Sequence, residues 1–394
     1  MTMSQEPEMI LTSETEIQFK EDDASDAADI LIEYFSHMGN IEDYMRFVKM
    51  QVISGTSGTG RLFSLKDEFF NEDIHPEDMD FEIFRVGSNK YTGGPGRVSQ
   101  ETFNDLLASV SSHNNEQNVP GREMKWIIYE KNTQKIVGFI RLGSPTINSK
   151  PRNLWLGHAP DLSIFNRHAA MGFVIVPSQP FGYNYLGGKL LALLCCSHFA
   201  REAMNESFEK DIALFETTSL YGSVTDASQY DGLKPFMRYK GLTESKFLPL
   251  LHDDIFHKLH DRFTLLNGGK PLTDTKASSK KMKRQTRMIS IIKNSLKDED
   301  KLELLNKTLS TAFGITQKKR FYVSDYGYSN IKEVILGEQE ELIPGPNWDK
   351  FYLENIIAWW KKKATKRYDK LKEEGRFRTN VELWTEDDDI QIIR

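Results

Sequence analysis

The sequence contains almost no cysteine. Cys195 and Cys196 are the only two cysteines among 394 residues, and they are adjacent. Neighbouring residues in a helical run cannot reach the usual disulfide geometry, and no cysteine spacing typical of a metal site occurs. This scarcity excludes a disulfide-stabilised secreted scaffold and predicts a reducing compartment, the cytoplasm. Both cysteines are expected in the core of an apolar helix rather than as nucleophiles.

Long apolar runs are also missing. No stretch of 18 apolar residues occurs, and the N-terminus is acidic instead of basic and then apolar. The sequence therefore predicts neither a membrane span nor a secretory signal. The apolar fraction of 39% and the aromatic fraction of 11% are nevertheless sufficient for a buried core.

The net charge of −6 conceals a strong segregation of charge. Up to Glu33 there are ten acidic residues and one base, whereas Lys270–Lys293 carries eight bases and one acid. Lys361–Arg378 carries nine bases and three acids. This segregation favours a basic face that meets phosphates, although solvated loops and a charged helix face are an equally good explanation.

Composition and periodicity predict four parts along the chain. A disordered acidic tail (1–28) precedes an N-terminal accessory region (29–122), a core (123–265), for which the resemblance described below implies a catalytic role, and a C-terminal basic and aromatic region (266–394). The core pattern is a hairpin, a strand, a glycine-containing turn, a helix and another strand, which predicts an α/β (α+β) fold with a mixed central sheet flanked by helices. The segments are Lys125–Tyr129 and Ile136–Leu142 for the hairpin, Ala169–Val176, Gly187–Glu202 and Ile212–Thr217.

The glycine-containing turn is the strongest chemical signal. Gly182 precedes the helix, and Gly187, Gly188 and Lys189 begin it. Such a turn exposes backbone amides at the positive end of a helix, an arrangement that binds pyrophosphate. A P-loop is disfavoured, because Gly188 stands where its lysine belongs and no Ser or Thr follows Lys189. A turn without any ligand is the structural alternative.

This region resembles the core of the GNAT acyltransferases. The likeness rests on Val137-Gly138-Phe139, Val176-Pro177, Gln179-x-x-Gly182 and the strand at Leu214–Thr217. In that family a Q/R-x-x-G-x-G/A loop holds the CoA pyrophosphate, and the pantetheine lies between two splayed strands. Four residues, Tyr183–Leu186, stand where the family has one. The resemblance implies acetyl-CoA or another acyl-CoA as cofactor, bound by Val176, Gln179, Gly182, Gly187, Gly188 and Lys189.

A second resemblance covers residues 137–242. It rests on Arg141-x-Gly143-Ser144-Pro145, Arg152-x-x-Trp155-x-Gly157, Phe215-Glu216-Thr217-Thr218-Ser219-Leu220-Tyr221-Gly222 and Tyr239-Lys240-Gly241-Leu242-Thr243. These runs are similar to the Druantia DruA-like domain and to phage proteins of the Mom type. Mom is GNAT-related and attaches a carbamoylmethyl group to adenine N6, so the resemblance implies modification of phage DNA.

Direct acyl transfer requires a base for the amine and an acid for the leaving thiolate. At the second strand, Glu216 is the candidate base, or the acceptor of a hydrogen bond from an adenine amino group. Tyr221 is the candidate acid. A bridging carboxylate and a packed ring are the respective structural alternatives. Second-line candidates are Ser219, Tyr230 and Arg167.

Nucleic acid is the expected partner, because the C-terminal third interleaves bases with aromatic residues. Examples are Lys318–Tyr322 and Trp359–Lys363. Rings stack on bases and cations meet phosphates. An amphipathic helix with Trp360 packed inward is compatible with this. No metal is expected, since His252, His257 and His260 match no zinc spacing.

Three functions remain open. The leading one is an acyl-CoA-dependent, GNAT-like transferase that modifies adenine N6 of phage DNA on a flipped or single-stranded base. The second is an N-acyltransferase acting on a protein or small-molecule amine. The third is a non-catalytic nucleic-acid-binding or DruA-like phage-defence protein. In each case we expect a cytoplasmic protein, in the host cytoplasm if phage-encoded, with no membrane partner.

Overall fold

The computed structural model describes residues 19–55, 66–87, 100–110, 121–146, 148–220, 222–245, 248–273 and 280–384. Its helices are α1 (Glu21–Ser36), α2 (Ile41–Gly55), α3 (Gln100–Ser109), α4 (Lys150–Leu156), α5 (Leu162–His168), α6 (Phe181–Tyr185), α7 (Gly187–Cys195), α8 (His198–Phe208), α9 (Gly222–Thr225), α10 (Asp253–Leu266), α11 (Lys280–Ser295), α12 (Glu299–Gln317), α13 (Ile331–Ile335) and α14 (Leu353–Glu373). Its strands are β1 (Phe81–Arg85), β2 (Glu123–Glu130), β3 (Lys135–Gly143), β4 (Ala169–Pro177), β5 (Leu214–Ser219), β6 (Arg238–Leu242) and β7 (Arg320–Ser324).

The chain divides into two compact units. The helical unit consists of Met1–Phe47 and Glu244–Lys318, and the sheet unit consists of Val48–Thr243 and Lys319–Arg394. The described strands all lie in the sheet unit and form one seven-stranded sheet in the order β1-β2-β3-β4-β5-β7-β6. Only the β4/β5 pair is parallel. The predicted α/β (α+β) class, with a mixed sheet and flanking helices, is confirmed.

In the helical unit, α1 packs against α11 and α12, and α10 packs against α11. Their contact faces are apolar at helical spacing, as in an amphipathic bundle. One side of α11 illustrates this, since Met288, Ile289, Ile291 and Ile292 are all buried. Bases of the run Lys270–Lys293 therefore lie on α11, a helix whose apolar face belongs to a core.

Helix α1 begins at Glu21, so the prediction of a disordered tail through residue 28 is wrong for its last eight residues. Ala24 is fully buried, and the guanidinium of Arg262 donates a hydrogen bond to Asp23 at 2.8 Å. Acidic residues that look solvated in the sequence are thus neutralised by bases far along the chain. Local composition cannot reveal such pairing.

The two units also differ from the predicted parts. The predicted C-terminal region, 266–394, is divided after Lys318, and β7 from its second half lies between β5 and β6. Strand β1, from the predicted accessory region 29–122, is an edge strand of the same sheet. Because strand pairing joins segments that are distant in sequence, the boundaries predicted from composition do not coincide with the compact units.

The apolar helix α7 lies in the main core of the sheet unit, in contact with β3 and β4. Its close approach to the sheet depends on Gly138, where a Cβ would lie 2.5 Å from Cδ1 of Leu191. Both cysteines are buried in this core, as the sequence predicted. Among the described residues, no helix combines the length and the apolar content that crossing a bilayer requires.

Candidate functional site

Strands β4 and β5 pair at one end and separate at the other. Their parallel ladder runs from Ala169↔Leu214 to Gly172↔Thr217, and no further pairs follow among the described residues. On its other side, β4 remains paired with β3 as far as Pro177. The end of β4 therefore borders a gap in the sheet, at the place where the sequence predicts a cofactor arm. Val176 lies on this segment, with its partly buried side chain packed in an apolar cluster.

The side chain of Gln229 lies in this gap. Its Nε2 donates a hydrogen bond to the carbonyl oxygen of Ile175 at 2.9 Å. A Cβ on Gly188 would come within 2.1 Å of the Gln229 Oε1, so a larger residue in the first turn of α7 would displace the end of the Gln229 side chain. A side chain of the protein itself thus accounts for the glycine that the sequence assigned to a phosphate.

Lys189 is bound to the same segment of chain. Its ammonium group donates hydrogen bonds to the carbonyl oxygens of Gln229, at 3.2 Å, and Asp231. Burial lowers the pKa of Lys189. The Asp231 carboxylate accepts hydrogen bonds from the hydroxyl of Tyr322, at 2.9 Å, and from Arg320, at 3.2 Å. The segment around Gln229 is therefore anchored from both sides.

The other predicted cofactor-binding residues, Gln179, Gly182 and Gly187, lie before, within and just after helix α6. The Gln179 side chain accepts a hydrogen bond from the Tyr183 amide at 3.0 Å and so satisfies a free amide of this short helix. A Cβ on Gly182 would lie 2.7 Å from Gln179 Nε2, and one on Gly187 would lie 2.6 Å from the ring of Phe181. The residues between Gly182 and Gly187, which depart from the GNAT pattern, complete this helical turn.

Glu216 forms a buried ion pair. Its Oε2 lies 3.1 Å from Nη1 of Arg152, and both side chains are 0% exposed. The same nitrogen of Arg152 donates to the carbonyl of Thr146 at 3.0 Å, and the guanidinium lies 4.0 Å from the ring centroid of Phe165. Burial raises the pKa of Glu216 to about 7, against the opposing influence of Arg152. The carboxylate thus bridges inside the protein, which is the structural alternative that the sequence left open.

Ser219 and Tyr221 follow Glu216 along the chain. The hydroxyl of Ser219 accepts a hydrogen bond from the amide of Gly222 at 3.1 Å and so shapes the start of α9. Tyr221 lies outside the described residues, so its predicted role as an acid stays a prediction. Of the second-line candidates, Tyr230 is buried, and burial raises its pKa to about 12. Arg167 is exposed and pairs with Asp211.

The structure therefore does not bring all of the predicted site residues together. Val176, Gly188 and Lys189 surround the gap, whereas Glu216 is engaged with Arg152 in the protein interior. Sequence reasoning missed Arg152 and Gln229. Arg152 belongs to a run that carries the DruA resemblance, but nothing in its spacing pointed to Glu216.

The lysine-rich helix α14 presents a second group of candidate residues. Trp360 is buried, and its indole nitrogen donates a hydrogen bond to the Tyr185 carbonyl at 3.0 Å, as the amphipathic alternative predicted. Lys362, Lys363 and Lys366 are exposed and form no ion pair with any described residue. The helix thus packs with one side and presents unneutralised cations on the other.

Comparison with known families gives one result. Residues 97–232 match the family model of the Druantia protein DruA. The match spans about a third of the chain and includes the gap between β4 and β5, the Arg152–Glu216 pair and the segment around Gln229. Strands β6 and β7 and helix α14 lie outside it. No curated protein matches the chain.

Among the described residues, no group of three or more His, Cys, Asp or Glu side chains is arranged to hold a metal ion. This includes the surroundings of His252, His257 and His260. His260 instead stacks on Phe256 at 5.6 Å between ring centroids, on the side of α10 that faces its core.

Proposed function

We propose that this protein is DruA-like and binds nucleic acid through the outward face of α14. The observation that carries the proposal is the trio of exposed lysines, Lys362, Lys363 and Lys366, which lack an acidic partner among the described residues. Holding like charges together costs free energy unless a polyanion neutralises them. A phosphate backbone does so and releases its condensed counterions.

Aromatic and arginine groups beside the lysines support this proposal. The ammonium of Lys363 lies 5.5 Å from the ring centroid of Trp359, which is partly buried. Arg367 follows one turn later and donates to the Tyr183 carbonyl, with its guanidinium 4.7 Å from the Tyr183 ring. Cations combined with rings suit a ligand that has both phosphates and bases. The DruA match supports a phage-defence setting, in which nucleic acid is an expected partner.

The proposal predicts the behaviour of a triple charge reversal. In the variant K362E/K363E/K366E, DNA affinity should fall by at least about tenfold, and the slope of log affinity against log salt should flatten by about 2–3. Fluorescence anisotropy with labelled single-stranded and duplex DNA measures both. The matched control is K258E/K297E/K307E, which makes the same change in net charge on exposed lysines of the helical unit. Equal losses in the two variants would mean that only net charge matters, and would refute the assignment to α14.

A second candidate function, acyl-CoA-dependent transfer to an adenine N6 in Mom-like fashion, is favoured by one observation. Strands β4 and β5 separate after Gly172 and Thr217, as the resemblance to GNAT enzymes implies for a pantetheine site. The residues around the gap do not fit a bound CoA in this conformation. The Gln229 side chain lies in the gap, and the Gln229 backbone carbonyl accepts a hydrogen bond from the Lys189 ammonium group. A bound cofactor would require the segment 228–231 to move.

Calorimetry with CoA and acetyl-CoA tests this second candidate. If the gap accepts a cofactor, shortening the obstructing side chain in Gln229→Ala should raise the affinity for CoA relative to the wild type. The same change at Gln339, which lies on another loop, serves as control. No heat with either the wild type or Gln229→Ala would eliminate CoA-dependent chemistry. Where CoA binds, an unmodified adenosine profile in DNA from expressing cells would leave a protein or small-molecule amine as acceptor.

A further inference from the structure

A second cationic surface of the sheet unit lies around Trp155. Trp155 is on α4, and the ammonium groups of Lys240 and Lys332 lie 4.6 Å and 5.4 Å from its ring centroid. Lys240 belongs to β6, the edge strand of the sheet, and Lys332 belongs to α13. Three elements that are distant in sequence therefore place two cations against one aromatic ring.

The charge on this surface is unbalanced. Arg238 and Lys234 add two further cations, and Asp325 is the acid that pairs with Arg238. The pKa of Lys240 is lowered, first by burial and then by repulsion from Arg238, Lys332 and Lys234, which outnumber the one attractive contribution of Asp325. Lys240 is thus held near other cations at a cost that an anion would remove.

The backbone of β6 packs against α4 beside Lys240. Gly241 has φ +122°, and a Cβ there would lie 3.4 Å from Pro151, so β6 approaches α4 closely just beside Lys240. Lysines on an edge strand also discourage pairing with other sheets. That role alone does not require two lysines placed over a tryptophan ring.

We propose that the surface formed by Trp155, Lys234, Arg238, Lys240 and Lys332 binds an unpaired, single-stranded stretch of nucleic acid. A base stacks on Trp155. The ammonium groups of Lys240 and Lys332, which lie over the ring in this structure, pair with the neighbouring phosphates. Stacking requires a base whose face is free, which excludes a base inside a duplex. The inference rests on the proposed nucleic-acid function and adds the form of nucleic acid that the protein selects.

Two variants test this surface independently of α14. Trp155→Leu should lower affinity for a single-stranded 20-mer about tenfold and leave duplex affinity unchanged. K240Q/K332Q should lower single-strand affinity and flatten its salt slope by about 2. The control Leu154→Ala changes the exposed neighbour on the same helix and should bind like the wild type. Circular dichroism verifies folding, and K240Q/K332Q decides the matter if Trp155→Leu does not fold.

The possible results separate the two proposals. Wild-type single-strand binding by both variants, together with weakened binding by K362E/K363E/K366E, would overturn the Trp155 site and leave the α14 proposal standing. Equal losses for duplex and single strand would also overturn the site, because they would show a general charge effect. Competition by poly-glutamate as strong as by DNA would do the same, since a peptide polyanion carries no bases. If the wild type binds no DNA, both proposals fail.

Discussion

Replacing Arg152 by Ala is expected to lower the free energy of unfolding of the sheet unit by about 3–5 kcal/mol. The guanidinium is completely buried and contacts Glu216, the Thr146 carbonyl and the Phe165 ring. Its loss leaves an acid without a partner in the interior, where ionisation is costly. All six tryptophans lie in the sheet unit, so tryptophan fluorescence during urea denaturation follows the unfolding of that unit.

A double replacement provides the matched control for Arg152→Ala. In R152M/E216L both charges are removed together, and apolar groups of similar length fill the space. Its stability should lie within about 1 kcal/mol of the wild type, because a buried ion pair contributes little net stability over a well-packed apolar pair. A loss below about 1 kcal/mol in Arg152→Ala would contradict the description of the pair as buried and mutually dependent.

Glu216 should also make the stability of the sheet unit depend on pH. Its pKa is raised from 4.5 to about 7 in the folded protein. Below pH 4.5 the Glu216 carboxyl is protonated in both the folded and the unfolded state. The stability that comes from the tighter binding of this proton by the folded state is then fully present. Between the two pKa values only the folded state keeps the proton, and stability falls as pH rises, until the effect is lost above pH 7. The decline should be on the order of 3 kcal/mol.

Glu216→Gln isolates this contribution, since glutamine preserves the shape and does not titrate. The measurement is the free energy of unfolding of wild type and variant at a series of pH values from 4.5 to 7.5. Other groups titrate equally in both proteins, so the difference between the two curves reports Glu216 alone. A constant difference across this range would show that Arg152 keeps the carboxyl ionised throughout, and the expectation would be wrong.

Much of the fold follows from local signals in the sequence. The β2–β3 hairpin and strand β4 were predicted because short β-rich runs are bounded by a polar turn and by Pro177. The predicted helix from Gly187 to Glu202 is instead two helices. The hydroxyl of Ser197 accepts a hydrogen bond from the Ala200 amide and begins the second one. The apolar pattern continues across this break, which is why periodicity alone did not detect it.

The site was predicted less completely, because its contacts join distant segments. Gln229 and Gly188 are separated by some forty residues, yet the end of the Gln229 side chain occupies the space that a Cβ on Gly188 would need. Sequence patterns show that Gly188 must be small, but a phosphate and a neighbouring side chain make the same demand. Likewise, Glu216 on a strand end is compatible with a base or with a buried partner of Arg152. The cofactor and catalytic roles therefore stay predictions.

Strands β6 and β7 are antiparallel neighbours that are joined by a long helical segment in place of a turn. The Thr243 amide donates to the Lys319 carbonyl at 2.8 Å, and the Lys319 amide donates to Thr243 Oγ1 at 3.0 Å. In place of a tight turn, the connection between them is the segment 244–318, which contains α10, α11 and α12. The entropic cost of closing such a loop grows only with the logarithm of its length, and helices that form early shorten it further. Because β7 can pair with β6 only after this segment has closed, we expect β7 to join the sheet late in folding, so that the sheet edge that carries Lys240 is among the last native features to form.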